Sequence, residues 1–447
     1  MTASAHPISE VATGSIDESL AQVHGEEVVT PGEIAAGVII GRSSEYFDFF
    51  VFGIACVLVF PYVFFPFLEP LNGILASFGV FAVAFVARPI GTAISMSIQQ
   101  RWGMAVKLTV ALMVLGVATV GIAMLPGYES IGVGAIWWLV GLRIAQGLGV
   151  GASWEGLPSL LAMNTPKNKR GWYAMIGQLG APVGFIVAAL VFAYIYSQLS
   201  HQDFVSWGWR YPFFVAFAIN VVALFARLRL VADDAYTNMF NSMELAPSST
   251  LDITRSGETR NIYLGAMAAL ASFALFHLVT VFPLSWMVLY SDAPVTHILS
   301  AQIFGALLAC GAIIASGWMA DRFGRRNTLG AMAVLIGLFS FSAPLLLNAG
   351  ISGQNIFIVV GFVLLGLSYG QSSGTVTANF SRKYRYVGAA YSADLAWLLG
   401  AAFAPLVALY LSSHFGPIAV GAYLLSGAVC TLAALGINKA LETSRKK

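Results

Sequence analysis

Glu45, Asp48, Arg88, Arg143, Glu155 and Asp394 interrupt long apolar stretches of this chain, as does His277. A charge inside an apolar layer costs about 3 kcal/mol or more, so such residues are kept for a use and face a partner or a cavity. Two chemistries are on offer. Burial favours the protonated form of a carboxylate and a nearby guanidinium favours the ionised form, so remaking one contact moves a proton on or off. An arginine stays charged but grips a ligand carboxylate with two parallel donors. Glu45, Asp48 and Asp394 are therefore candidate proton-coupling groups, and Arg143 and Arg88 candidate substrate-binding groups. Tyr46, Gln146 and Gln178 are candidate neutral partners for ligand oxygens; ordinary hydrogen bonds between helices would occupy the two glutamines equally well. His277 stands among Phe273, Phe276 and Phe282, where a neutral, hydrogen-bonded imidazole is expected. Cys56, Cys310 and Cys430 show no ligand spacing and read as buried thiols, so no metal site is expected.

The elements that must hold these side chains are helices. Apolar runs of about 20 residues read as membrane spans. Twelve are expected, near 34–60, 71–97, 105–126, 131–157, 171–197, 210–230, 260–290, 297–320, 327–348, 355–380, 386–411 and 416–440. Lys and Arg gather in every second gap, among them Arg101, Lys107, Lys167, Lys169, Arg170, Arg227, Arg229, Arg322, Arg325 and Arg326. The alternate gaps carry none, apart from Arg210 at the mouth of the sixth span. Basic loops stay in the cytoplasm, so an even number of spans and two cytoplasmic termini are expected. At about 1.5 Å per residue, Glu45 and Arg88 lie roughly 14 to 16 Å above the basic side, and Asp48 and Arg143 roughly 21 Å above it. Depth thus pairs Glu45 with Arg88 and Asp48 with Arg143, each pair being either a permanent tie or a switch. Glu45 and Asp48, three apart, share a helix face. Glu155, near the end of its span, reads as a solvated end or a loop latch. Asp394 is open between substrate contact, second proton site and latch.

Composition agrees. Hydrophobic residues make up 58% and charged residues 10%, against about 25% charged in a soluble domain. The net charge of +2 lies in short loops on one face and implies no nucleic acid. The 31 Phe and 10 Trp are expected mostly against lipid or at its interface. The chain divides into an acidic, disordered cytoplasmic tail at 1–33, a six-helix unit at 34–230, a cytoplasmic linker at 231–259, a second six-helix unit at 260–440 and a basic tail at 441–447. The halves echo each other: Gln100-Arg101-Trp102-Gly103 follows the second span and Asp321-Arg322-Phe323-Gly324-Arg325-Arg326 the eighth. Two related halves around a central site are a common plan of transporters. Gly147 and Gly151, Gly177, Gly180 and Gly184, and Gly370 and Gly374 recur at three- and four-residue spacing, which suits close helix packing, and Pro182 suggests a bend in the fifth span.

The loop Asp321-Arg322-Phe323-Gly324-Arg325-Arg326 resembles the cytoplasmic signature of the major facilitator superfamily. Within it, Glu45-Tyr46-Phe47-Asp48-Phe49, Arg88-Pro89-Ile90-Gly91, Arg143-Ile144-Ala145-Gln146-Gly147, Trp207-Gly208-Trp209-Arg210-Tyr211-Pro212-Phe213 and Arg385-Tyr386-Val387-Gly388-Ala389 are similar to the metabolite:proton symporters. Those carry citrate, oxoglutarate, dicarboxylates, shikimate, proline and betaine. The resemblance implies an all-α membrane protein of two six-helix bundles, with Asp321, Arg322, Gly324 and Arg325 as gating residues. Three departures stand out: the first-half loop lacks the acid and the second arginine, Ser153 replaces the family's glutamate, and Asp394 replaces its asparagine.

No phosphate loop, metal cluster or nucleophile with a base stands out, so an enzyme is not expected. Proton-coupled symport of a small carboxylate or zwitterion is the expected function, in the bacterial inner membrane, by a monomer among lipids, with the proton as coupling ion and no cofactor. An antiporter or exporter, and a transporter-like sensor that does not transport, are the alternatives.

Overall fold

The computed structural model describes residues 31–153, 167–231, 247–373, 380, 381 and 383–437. The chain folds as helices throughout, with no strand among the described residues. Helix α1 is Pro31–Leu58. Pro70–Met124 is one helical run broken at Gly103 (φ 82°, ψ 175°), which divides it into α2 (70–102) and α3 (104–124). There follow α4 (Val133–Ala152), α5 (Arg170–Gln198) and α6 (Arg210–Val231). The second half holds α7, built from Thr259–Ala268, Leu270–Thr280 and Phe282–Tyr290, then α8 (Val295–Phe323) and α9 (Arg325–Asn348). Helices α10 (Gly350–Tyr369), α11 (Arg385–Phe415) and α12 (Ile418–Ile437) complete it.

Ten helices among the described residues are long and apolar enough to cross a membrane. Pro70–Met124 is one of them and makes two passes, and α1 is long enough but carries Arg42, Glu45 and Asp48; with those two additions the twelve expected spans are accounted for. Gly103 and Gly324 (φ 87°) turn the chain at matching places in the two halves, in a backbone region that a side chain makes costly. Glu155 and most of the expected linker lie outside the described residues, as do the first 30 and last ten positions.

Small residues set the helix approach. An added Cβ at Gly147 would stand 2.3 Å from the Ala84 carbonyl oxygen, and at Gly151 2.1 Å from that of Arg88, so α4 lies backbone to backbone on α2. Gly180 and Gly184 do the same for α5 against α1, at Arg42 and Ser43. Between the halves, α5 packs on α8 and α2 on α11. Two backbone irregularities mark this interface: α7 is interrupted at Ala269 and Val281, either side of His277, and α11 opens into a π-helical turn at Trp397–Ala402. Such turns re-aim the side chains around them.

Two expectations about side chains are corrected. Lys107 and Arg227, assigned to solvated gaps, are 0% and 1% exposed. The aromatic residues divide. Trp137 and Trp138 face outward, whereas Phe47, Phe50, Phe52, Phe81, Phe276 and Trp397 belong to one central core.

Candidate functional site

Asp48 is sealed inside the first bundle, 2% exposed. The Thr119 hydroxyl on α3 lies 2.9 and 2.8 Å from its two oxygens, Gln146 Nε2 on α4 donates at 3.3 Å, and Asn220 Nδ2 on α6 donates at 3.3 Å. The Asn220 amide is itself oriented by the Ser44 hydroxyl, 2.7 Å away. Every donor is neutral. Among the described residues no Lys or Arg nitrogen lies within 4.0 Å of Asp48, so the expected direct pair with Arg143 is not formed. Arg143 instead donates to Gln146 Oε1 at 2.9 Å and to the Phe81 carbonyl at 3.3 and 3.4 Å. Its guanidinium lies 3.9 Å from the Phe52 ring centre, with Phe81 at 5.1 Å and Phe49 at 5.8 Å. Equal depth brought the two residues to one level, and the intervening glutamine keeps them apart.

Glu45 is likewise not paired with Arg88. It takes Arg42 at 2.7 Å and Arg227 at 2.8 Å, with the Ser153 hydroxyl at 2.7 Å. Arg42 was passed over at the sequence level, where a residue one turn before Glu45 was already in reach. Arg88 crosses to the second bundle: its Nε meets Asp394 Oδ1 at 2.7 Å, while Thr92 donates to Asp394 Oδ2 at 2.6 Å.

These groups border two adjoining cavities. The central one lies between the bundles, lined by Arg42, Glu45, Tyr46, Arg88 and Gln178 on the first side and by Phe273, Tyr369 and Trp397 on the second. The Tyr46 and Tyr369 hydroxyls share a hydrogen bond across it. The smaller cavity runs into the first bundle to Asp48, Arg143 and Gln146, and shares Glu45, Phe49, Phe85 and Arg88 with the central one. Glu45 and Arg88 therefore stand between the ligand space and the buried carboxylate. Among the described residues no group of His, Cys, Asp and Glu is placed to hold a metal ion.

The Major Facilitator Superfamily profile matches residues 50–394. The chain belongs to this superfamily. It is 35% identical over 424 residues to the inner membrane metabolite transport protein YhjE of Escherichia coli, covering 92% of this chain and 95% of the relative. The shikimate transporter of the same organism is 30% identical over 414 residues, covering 90% and 92%. The proline/betaine transporter of Escherichia coli is 26% identical over 400 residues, covering 86% and 79%. These relatives are transport proteins of the metabolite-carrying group that the sequence resembles. Among solved structures, the D-xylose-proton symporter superposes with a TM-score of 0.67 over 89% of this chain and 96% of its own, at 18% identity, a likeness of fold.

In this facilitator the two bundles touch on either side of the central cavity. On the basic side Asp321 caps α5, accepting from Gly171 N at 2.6 Å and Trp172 N at 3.1 Å. A carboxylate there offsets the positive end of the α5 dipole. Arg325 donates to the Arg170 carbonyl at 3.1 Å, Arg326 to that of Leu435 at 2.7 Å, and Arg322 lies over Trp318 at 5.3 Å. Gly324 supplies the turn between them. The matching place in the first half has no acid. There Lys107 Nζ donates to Gln99 Oε1 at 3.1 Å and to the Tyr386 hydroxyl at 2.9 Å, across to α11. On the opposite side of the cavity an aromatic plug joins the bundles. His277 stacks on Phe49 with ring centres 5.1 Å apart and meets Phe81 edge-on at 5.2 Å. Its Nδ1 reaches Thr280 at 3.3 Å and its Nε2 has no hydrogen-bond partner among the described residues.

Proposed function

We propose that this facilitator carries a small carboxylate-bearing metabolite together with a proton, by alternating access of the central cavity to the two membrane faces. One observation carries the reading: an arginine edge open to the central cavity adjoins a buried carboxylate that has only neutral donors. Arg88 lines the cavity, its Nε is used by Asp394, and its two terminal nitrogens have no hydrogen-bond partner among the described residues. Asp48, reached through the adjoining cavity, is the proton-coupling group. A proton arriving there removes a buried charge without breaking an ion pair, and Thr119, Gln146 and Asn220 hold the carboxyl in place in both forms. Gln146 touches both Asp48 and Arg143, so a change of charge on one is felt by the other.

The two bundles, 34–230 and 260–440, rock about the cavity, joined by the 231–259 linker. The basic loops and both termini lie in the cytoplasm, and the protein sits in the inner membrane, like the inner membrane metabolite transport protein YhjE. Gly180 and Gly184 of α5 meet α1 backbone, which accounts for them by close packing. Uptake of labelled organic acids and zwitterions into proteoliposomes, with and without an inward proton gradient, tests the reading. Gradient-driven accumulation supports it. Efflux driven by an inward gradient makes the protein an antiporter, and saturable binding with no flux makes it a sensor.

A further inference from the structure

Polar atoms left open in the central cavity narrow the class of carboxylate. Two are open on the first-bundle side: the terminal edge of Arg88 and the side-chain amide of Gln178, which bonds to no described residue. The acids are taken. Glu45 is held by Arg42, Arg227 and Ser153, and Asp394 by Arg88 and Thr92. A ligand ammonium would therefore meet no open carboxylate among the described residues. The Trp397 face that could take a cation instead already has the Arg88 guanidinium over it, 5.7 Å from the ring centre. A second ligand carboxylate fares no better, because Arg143 is boxed by Phe49, Phe52 and Phe81 in the adjoining cavity. The rest of the wall is aromatic and small, suited to a carbon ring or short chain, and its hydroxyls are already engaged: Tyr46 with Tyr369, Ser372 with the Tyr369 carbonyl and Ser373 with that of Ala174.

We propose that the substrate is a singly charged, hydroxylated monocarboxylate, with its carboxylate on the terminal nitrogens of Arg88 and a hydroxyl read by Gln178, the specificity-determining residue. This rests on the carboxylate-transport reading above. A carboxamide both donates and accepts, as a hydroxyl does, so one Gln178 contact can satisfy the hydroxyl in either sense. A ligand without the hydroxyl leaves the amide unmet, a loss of about tenfold in affinity.

Calorimetric titration of the purified full-length protein with shikimate, cyclohexanecarboxylate, succinate, glycine betaine and proline tests this. Shikimate is expected to bind about tenfold more tightly than cyclohexanecarboxylate, and both more tightly than the zwitterions and the dicarboxylate. In Gln178→Ala the gap between the two monocarboxylates should close. Cyclohexanecarboxylate binding, which does not use the amide, should persist and so report a folded variant. Tighter binding of betaine, proline or succinate, or a gap that survives Gln178→Ala, overturns this proposal and leaves carboxylate transport standing. Binding of none of the five overturns both.

Discussion

Asp48 and Arg143 are joined through a single amide: Gln146 accepts from Arg143 at 2.9 Å and donates to Asp48 at 3.3 Å. A direct ion pair would hold Asp48 charged, and an isolated carboxyl would sense nothing beyond itself. The amide relay lets the two residues influence each other while neither neutralises the other by contact.

Asp48→Asn keeps the size of the side chain and one accepting oxygen and removes its titration. Gradient-driven accumulation in proteoliposomes is expected to be lost, with substrate exchange in the absence of a gradient largely kept. Normal accumulation by this variant would move the proton site to Glu45 or Asp394.

Arg88→Ala leaves the Asp394 carboxylate buried with only Thr92, and breaking a buried pair in this way costs about 3–5 kcal/mol. Adding Asp394→Ala removes the stranded charge, so the double variant should melt higher in detergent than Arg88→Ala alone. Ligand binding should be lost in both, because the cavity then has no open guanidinium. A double variant less stable than the single one would show that the pair is not a tie between the bundles.

Helix packing separates two kinds of glycine. At Gly151 a methyl group would stand 2.1 Å from the Arg88 carbonyl, and at Gly141 it would meet nothing within 4 Å. Gly151→Ala is expected to destabilise by about 1–3 kcal/mol through forced separation of α2 and α4. Gly141→Ala should be neutral or gain up to about 1 kcal/mol in helix propensity. Thermal melts of the two variants decide; equal melting temperatures would deny the close approach.

On the basic side, Asp321→Ala removes both caps from the start of α5. A cysteine at Ser373, which lines the cavity, should then react faster with a membrane-impermeant thiol reagent applied to that face. The background must lack Cys56, Cys310 and Cys430. An unchanged labelling rate would mean that Asp321 holds the helix end without holding the gate.

The spans and the buried charges were legible because both are properties of the chain read one residue at a time. Apolar length marks α1 to α12, and the cost of a buried charge marks Glu45, Asp48, Arg88, Arg143 and Asp394. Their partners were not legible in the same way. Sequence position fixes depth along a helix, one coordinate of three, and depth alone put Glu45 with Arg88 and Asp48 with Arg143. Packing fixes the rest: Gly151 and Gly147 draw α4 onto α2, and Arg88 meets Asp394 across the bundles instead. Arg227 and Lys107 were misread for a related reason. A basic residue at the end of a span looks solvated until a neighbouring helix, carrying Glu45 or Tyr386, is found to cover it. The aromatic lining had no local signal, since Phe and Trp satisfy a lipid face and a cavity wall equally well; the π-helical turn at Trp397 appears only in the folded backbone.

The bond between Arg88 and Asp394 also bears on the half of the cycle in which nothing is carried. A symporter that has delivered its cargo must turn round empty, through a state sealed from water on both sides, where a lone guanidinium is most expensive. With Asp394 on its Nε, Arg88 passes through that state already compensated, and a substrate carboxylate on the free edge adds to the pair without replacing it. Arg88 therefore sets no penalty on the empty return. On the proposed coupling, whether the empty carrier turns at all is left to the proton on Asp48.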